Sequence, residues 1–159
     1  MSSRVALVLA FGLGLTVSGC ATLMRIPGTT VLDNPANREL IKLCERYRLA
    51  MEERDSGTLL ALAHPSYFED SGTPKGDDDY GYEGLKQVLG DRLRKVRSLR
   101  YNVEYRSVEV TGPRAQVQLR YDASYQIATE MGDRWERKQN EKRIEFVRDG
   151  ERWLITAGM

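Results

Sequence analysis

The strongest constraint on the fold is a regular alternation of apolar and polar side chains over residues 115–127. The apolar positions are Ala115, Val117, Leu119, Tyr121, Ala123, Tyr125 and Ile127, and the residues between them are polar. Successive side chains of a β-strand point to opposite faces, so this period of two places one set in the interior and the other in water. Strands with one wet face are typical of antiparallel sheets, which is the sheet type we predict here.

The segments on either side predict further strands of the same sheet. A strand that begins near Leu99 changes its alternation at residues 106–107, which indicates a β-bulge there. A return strand is predicted over residues 134–147, a tight hairpin at residues 149–150 and a last strand at residues 153–157. Together these segments predict an antiparallel meander.

Three helices are predicted before the first long strand. Asn34 followed by Pro35 is typical of a helix start. The apolar stripe of this first helix consists of Leu40, Cys44, Tyr47 and Met51. A short second helix should end before Pro65, and a third is expected over residues 81–96. Helices followed by a meander predict an α+β fold, in which three N-terminal helices pack on one face of a curled antiparallel sheet.

The first nineteen residues have the pattern of a secretion signal. Arg4 is their only charged residue, and the apolar run at residues 5–17 is shorter than the roughly 20 residues that a membrane span needs. The tetrapeptide VSGC at residues 17–20 resembles the lipobox of bacterial lipoproteins. This resemblance implies cleavage before Cys20, diacylglycerol on its thiol and an acyl chain on the new amino group. An ordinary secreted cysteine is the alternative.

These features divide the chain into a signal peptide at residues 1–19, a lipidated tether at residues 20–33 and a folded domain at residues 34–159. The tether shows no sustained periodicity and is expected to separate the domain from the lipid surface. By analogy with lipoprotein sorting, Ala21 after the cysteine favours the outer membrane. We therefore expect a protein that faces the periplasm from a lipid anchor.

The charge balance and the cysteine count exclude several classes of function. Loss of Arg4 with the signal peptide leaves 23 basic and 23 acidic residues, so the mature chain has no general electrostatic reason to bind nucleic acid. If Cys20 carries lipid, Cys44 has no partner for a disulfide, and its place on the helix stripe predicts a buried thiol. The chain has one histidine, and the acidic run at residues 77–79 lacks the spacing of a calcium loop. No metal site and no cofactor are expected.

Two segments carry a resemblance to a known fold family. Residues 47–72, YRLAMEERDSGTLLALAHPSYFEDSG, predict a helix, a break, a short helix and a strand that ends in Glu-Asp. Residues 146–155, FVRDGERWLI, predict a closing hairpin. Both resemble the cone-shaped superfamily of nuclear transport factor two, ketosteroid isomerase and the SnoaL-like polyketide cyclases, over about residues 35–157. The resemblance implies a curled sheet around a cavity, in a superfamily that hosts many unrelated functions.

The resemblance also implies a candidate pocket. Ketosteroid isomerases use a tyrosine on the first helix, an aspartate after the first strand that moves a proton, and a protonated acid on the penultimate strand. Tyr47 and Asp70 match the first two positions, whereas Lys142 lies near the third and departs from the family pattern. Tyr121 and Tyr125 are expected nearest the cavity. The candidate pocket therefore comprises Tyr47, Asp70, Tyr121 and Tyr125, with no catalytic residue assigned.

The sequence leaves three functions open. The first is an envelope lipoprotein whose cone domain is a binding or accessory module for a small apolar molecule or for a protein partner. The second is a tethered isomerase-like or cyclase-like enzyme that acts on an apolar carbonyl compound. The third is a structural envelope subunit, for which the exposed face of the sheet offers a surface for a homodimer.

Overall fold

The computed structural model describes residues 24–70, 76 and 78–159. The predicted signal peptide at residues 1–19 and the predicted lipidation site, Cys20, lie outside the described residues.

Three helices precede the main sheet: α1 (Pro35–Glu53), α2 (Ser56–Leu62) and α3 (Tyr82–Lys95). Helix α1 begins where the sequence predicts, because the side chain of Asn34 accepts a hydrogen bond of 2.8 Å from the backbone N–H of Asn37. It ends at Arg54, whose φ of +58° turns the chain toward α2. Among the described residues, no helix is both long and apolar enough to cross a membrane.

The strands form a two-stranded ribbon and a four-stranded antiparallel sheet. The ribbon pairs β1 (Phe68–Glu69) with β2 (Tyr80–Gly81). The sheet consists, in spatial order, of β3 (Val96–Thr111), β4 (Arg114–Thr129), β5 (Gly132–Asp149) and β6 (Arg152–Ala157). The chain is thus an α+β domain with a curved antiparallel sheet packed against three helices, as predicted.

The strand register confirms the features predicted from the alternation. The pairing of β3 with β4 shifts between Tyr105 and Ser107, at the predicted bulge. Gly112, in the turn between β3 and β4, and Gly150, in the predicted hairpin, take positive φ values of +57° and +60°, a conformation that glycine adopts without strain. The apolar set of β4 consequently faces the helices.

The hydrophobic core lies between the helices and the concave face of the sheet. Its fully buried side chains include Leu40, Leu59 and Leu85 from the helices and Val117, Leu119, Ile144 and Phe146 from β4 and β5. Burying each of these side chains contributes about 1.5–3 kcal/mol to folding. Cys44 is 1% exposed within this core, which confirms the prediction of a buried thiol.

Residues 24–33 pack against the domain. Val31 is 3% exposed and belongs to the core, and the Thr30 hydroxyl donates a hydrogen bond of 2.6 Å to the backbone carbonyl of Arg106 in β3. An isolated bridge pairs Arg25 with Leu32. The packed part of the chain therefore begins before residue 34, the domain boundary predicted from the sequence. A single buried valine in a segment without periodicity gives no sequence signal for such packing.

Candidate functional site

The concave face of the sheet, together with α1 and α3, bounds a cavity of about 410 Å³. This volume falls in the range of small-molecule pockets, roughly 300–1,000 Å³. The apolar wall consists of Met51, Leu85, Val88, Leu89, Leu93, Val96, Leu99, Ala123 and Ile127. A larger depression of about 800 Å³ lies outside, along α3, but it is open to solvent and lined mainly by polar and charged residues. The cavity inside the cone is therefore the candidate site.

Three tyrosines and one lysine form a polar cluster in the cavity wall. The Nζ of Lys142 donates a hydrogen bond of 2.9 Å to the Oη of Tyr47. The ring of Tyr47 meets Tyr101 edge-on, with centroids 6.1 Å apart, and Tyr101 stacks on Tyr121 with centroids 5.3 Å apart. The same Nζ lies 5.1 Å from the ring centroid of Tyr47 and 6.0 Å from that of Tyr121, in the range of cation–π contact. The cluster thus holds the lysine ammonium against two aromatic rings.

Burial keeps the hydroxyls of Tyr47 and Tyr101 protonated. Tyr47 is 1% exposed, and loss of hydration raises the pKa of its hydroxyl well above the usual range. Its hydrogen bond with Tyr101 lowers this pKa by a smaller amount. Burial is the main cause that raises the pKa of Tyr101, and the neighbouring Tyr47 raises it further. The charge of Lys142 opposes the rise. At neutral pH both groups are therefore neutral hydrogen-bonding partners rather than bases.

The charge of the cavity wall has one sign. None of the described residues that line the cavity is acidic, whereas four are basic: Arg92, Lys95, Lys138 and Lys142. Three carboxylates on the elements around it accept hydrogen bonds: Glu45 accepts from the Tyr105 hydroxyl at 2.7 Å, Glu52 from the Tyr101 backbone N–H at 2.8 Å and Glu136 from the Tyr125 hydroxyl at 2.8 Å. The charged side chains that line the cavity are consequently all basic, and most of the other lining residues are apolar or aromatic.

The segment at residues 158–159 closes one side of the cavity. The backbone N–H of Gly158 donates a hydrogen bond of 2.8 Å to the carboxylate of Glu69, and that of Met159 donates one of 3.1 Å to the Tyr67 hydroxyl. Gly158 has a φ of +86°, and a Cβ added to it would lie 2.0 Å from the backbone oxygen of Arg143. Only glycine fits there, and its place brings the Met159 side chain into the cavity wall.

Three of the four predicted site residues line the cavity, and one does not. Tyr47, Tyr121 and Tyr125 all line the cavity, and so does Lys142, near the position of the third isomerase group. Asp70 is exposed and is not among the described residues that line the cavity. Because side chains alternate along β1, it is the preceding residue, Glu69, that turns toward the domain and binds the segment at residues 158–159.

Lys138 and Met159 are among the cavity residues that were not predicted from the sequence. Lys138 lies on β5 opposite Ala123, and Lys142 lies opposite Leu119, so both face inward with the apolar set of β4. Alternate residues of a strand share a face, so counting back from the core residue Phe146 in steps of two reaches Lys138. The sequence could therefore have predicted that Lys138 faces inward. Met159 carries no such signal, because its place depends on contacts with residues far away in sequence.

No group of three or more His, Cys, Asp or Glu side chains in the described part of the chain is arranged to hold a metal ion.

No sequence-family model matches the chain. No curated protein matches it significantly. Solved structures do match, at high probability and over most of the chain.

A conserved protein from Planctomyces limnophilus is 14% identical, with a TM-score of 0.66 over 77% of this chain and 92% of the other. The Kfla4162 protein from Kribbella flavida is 13% identical, with a TM-score of 0.65 over 77% of this chain and 86% of the other. A nuclear transport factor 2-like superfamily protein from Salmonella enterica serovar Typhimurium is 12% identical, with a TM-score of 0.64 over 76% and 86%. At these identities the likeness is one of fold: the domain has the cone fold of the nuclear transport factor 2-like superfamily.

Proposed function

We propose that this protein is a lipid-anchored envelope protein whose cone domain binds a small, largely apolar molecule in the cavity between α1, α3 and the sheet. The observation that carries the proposal is the composition of the cavity walls. Apolar and aromatic side chains surround a volume of about 410 Å³, and a few polar groups converge on it. Binding sites for small molecules have this composition, because the apolar area supplies affinity and the polar groups fix orientation.

The cavity can supply both contributions. Each methylene group that moves from water into an apolar site adds about 0.8 kcal/mol of favourable free energy. The half-buried Lys142 can hydrogen-bond a single polar group of the ligand, because Tyr47 occupies only one of the three donors of its ammonium. The site is therefore suited to a molecule that is apolar over most of its surface.

The arrangement favours binding without turnover. Proton transfer next to a carbonyl requires a base within hydrogen-bond reach of the reacting atom. Asp70, which resembles the base of the isomerases, is exposed and does not line the cavity, and Lys142 donates its hydrogen bond there. Turnover of an apolar carbonyl compound that is lost in the Asp70→Asn variant would instead establish the enzymatic alternative.

The proposed anchor would hold the domain close to a membrane. A lipid on Cys20 would lie four residues before Met24, whose carbonyl accepts a hydrogen bond of 2.8 Å from the backbone N–H of Asp33 in the packed segment. Four extended residues span at most about 14 Å. With Ala21 after the cysteine, the periplasmic side of the outer membrane is the location we propose.

Methionine methyl groups provide a direct test of binding in the cavity. Met51 and Met159 line it, whereas Met24 is 73% exposed and Met131 is 98% exposed at the surface. In protein labelled with carbon-13 at the methionine methyl groups, titration with the neutral probe 1-octanol should shift the signals of Met51 and Met159. The signals of Met24 and Met131 should stay in place. Unchanged signals of Met51 and Met159 at saturating octanol would contradict the proposal.

A further inference from the structure

We infer that the ligand of this cavity is an anionic amphiphile: one negatively charged group, such as a carboxylate, on an apolar body. This inference rests on the proposed function and adds the charge of the ligand. Its basis is the charge of the side chains that line the cavity: Arg92 and Lys95 of α3 and Lys138 and Lys142 of β5 are basic, and none of the described lining side chains is acidic.

The basic residues of β5 are directed inward by the strand register. Lys142 pairs with Leu119 and Lys138 with Ala123, and both partners belong to the buried face of β4. Residues directly opposite each other on antiparallel strands project from the same face of the sheet. Both lysines therefore lie on the concave face of the sheet, where Lys142 is half-buried and Lys138 is exposed.

Among the described residues, no acidic side chain forms an ion pair with the basic side chains of the cavity wall, Arg92, Lys95, Lys138 and Lys142. The carboxylates of the surrounding elements have other partners: Glu52 of α1 pairs with Arg48, Glu136 of β5 pairs with Arg134, and Glu69 of β1 accepts from Gly158. A cavity with unbalanced basic groups attracts an anion and disfavours a cation.

Lys142 is the residue that would contact the anionic group. Its ammonium has three donors, of which one is used by Tyr47 at 2.9 Å, and its side chain is half-buried against two aromatic rings. Removed from bulk water, a charge-assisted hydrogen bond to an anion is shorter and stronger than a neutral one. Arg92, Lys95 and Lys138 are exposed, so salt screens them, and they contribute mainly by steering the anion toward the opening.

Three probes with the same hydrocarbon chain isolate the contribution of charge: octanoate, 1-octanol and octylammonium. With the Met51 and Met159 methyl signals as the readout at neutral pH, we expect octanoate to bind about tenfold more tightly than 1-octanol, the scale of one charge-assisted hydrogen bond. Octylammonium should bind most weakly. Octanol binding equal to that of octanoate would overturn the inference and leave the proposed function standing. Absence of cavity shifts with all three probes would overturn both.

Substituting the two lysines of β5 one at a time shows which of them binds the anionic group. Lys142→Gln removes the charge but retains a group that can donate to Tyr47. It should reduce octanoate affinity about tenfold and octanol affinity less, because octanol loses no charge-assisted hydrogen bond. Lys138→Gln, two inward positions along the same strand, is the matched control and should reduce octanoate affinity less than about threefold, because an exposed charge is screened. Retained octanol shifts at Met51 and Met159 show that each variant is folded. Equal losses of octanoate affinity in the two variants would contradict the assignment to Lys142.

Discussion

Gly158→Ala should destabilise the domain by a limited and calculable amount. The new Cβ would lie 2.0 Å from the backbone oxygen of Arg143, a distance that no Cβ tolerates, at a residue whose φ of +86° already disfavours a side chain. The least costly response is detachment of residues 158–159, which sacrifices their hydrogen bonds to the Glu69 carboxylate and the Tyr67 hydroxyl. A hydrogen bond to a charged group is worth roughly 1.5–3 kcal/mol and a neutral one roughly 0.5–1.5 kcal/mol, so we expect a loss of about 2–4.5 kcal/mol.

Urea unfolding followed by tryptophan fluorescence measures this loss, since a midpoint that moves at constant slope reports a change in stability. Gly90→Ala is the matched control. Gly90 lies within α3, and a Cβ there would meet no atom within 4 Å, so the same substitution should stabilise the protein by about 0.5–1 kcal/mol. Extrapolated free energies of unfolding carry an error of about 0.5 kcal/mol. If Gly158→Ala differs from the parent by no more than this, residues 158–159 do not close the cone as described.

Three further predictions concern single groups. Hydrogen bonds, mainly from Arg137 and to a smaller extent from Gln139, lower the pKa of Asp122 to about 2. The ionised Asp122 therefore contributes to stability above its ordinary pKa of about 3.9, and this contribution is lost as the pH falls through about 2. In Arg137→Ala, the titration of Asp122 followed by NMR should move up toward 3.9, and an unchanged midpoint would contradict the pairing. Burial raises the pKa of the Cys44 thiol, so a thiol reagent should modify Cys44 only after denaturation; rapid reaction of the native protein would refute its burial. Cys20→Ser should abolish metabolic labelling by a fatty-acid analogue and leave uncleaved precursor, whereas persistent label would rule out Cys20 as the acylated residue.

The parts of the fold that could be predicted from the sequence are those set by local pattern. The alternation at residues 115–127 specifies β4 and its buried face because strand side chains have a period of two. The change of parity at residues 106–107 marks the bulge for the same reason. Asn34 and Pro35 mark the start of α1, because the first turn of a helix leaves N–H groups that a short polar side chain can satisfy.

The parts that could not be predicted depend on contacts between distant residues. Glu69 and Asp70 are adjacent acidic residues, and only the pairing of β1 and the position of Gly158 determine which of the two turns toward the domain. Met159 reaches the cavity because the backbone of Gly158 packs against Arg143, which no local pattern encodes. Val31 is buried, and the hydroxyl of the neighbouring Thr30 donates a hydrogen bond to the backbone carbonyl of Tyr105 in β3, 75 residues away in sequence.

A crystal structure of the protein grown with octanoate tests directly whether the cone cavity binds a small apolar molecule. We expect the hydrocarbon chain to lie between Tyr121 and the α3 residues Leu85 and Leu89, with the carboxylate within hydrogen-bond distance of the Lys142 Nζ. A cavity filled by its own side chains, or octanoate bound only in the open depression along α3, would contradict the proposed binding site.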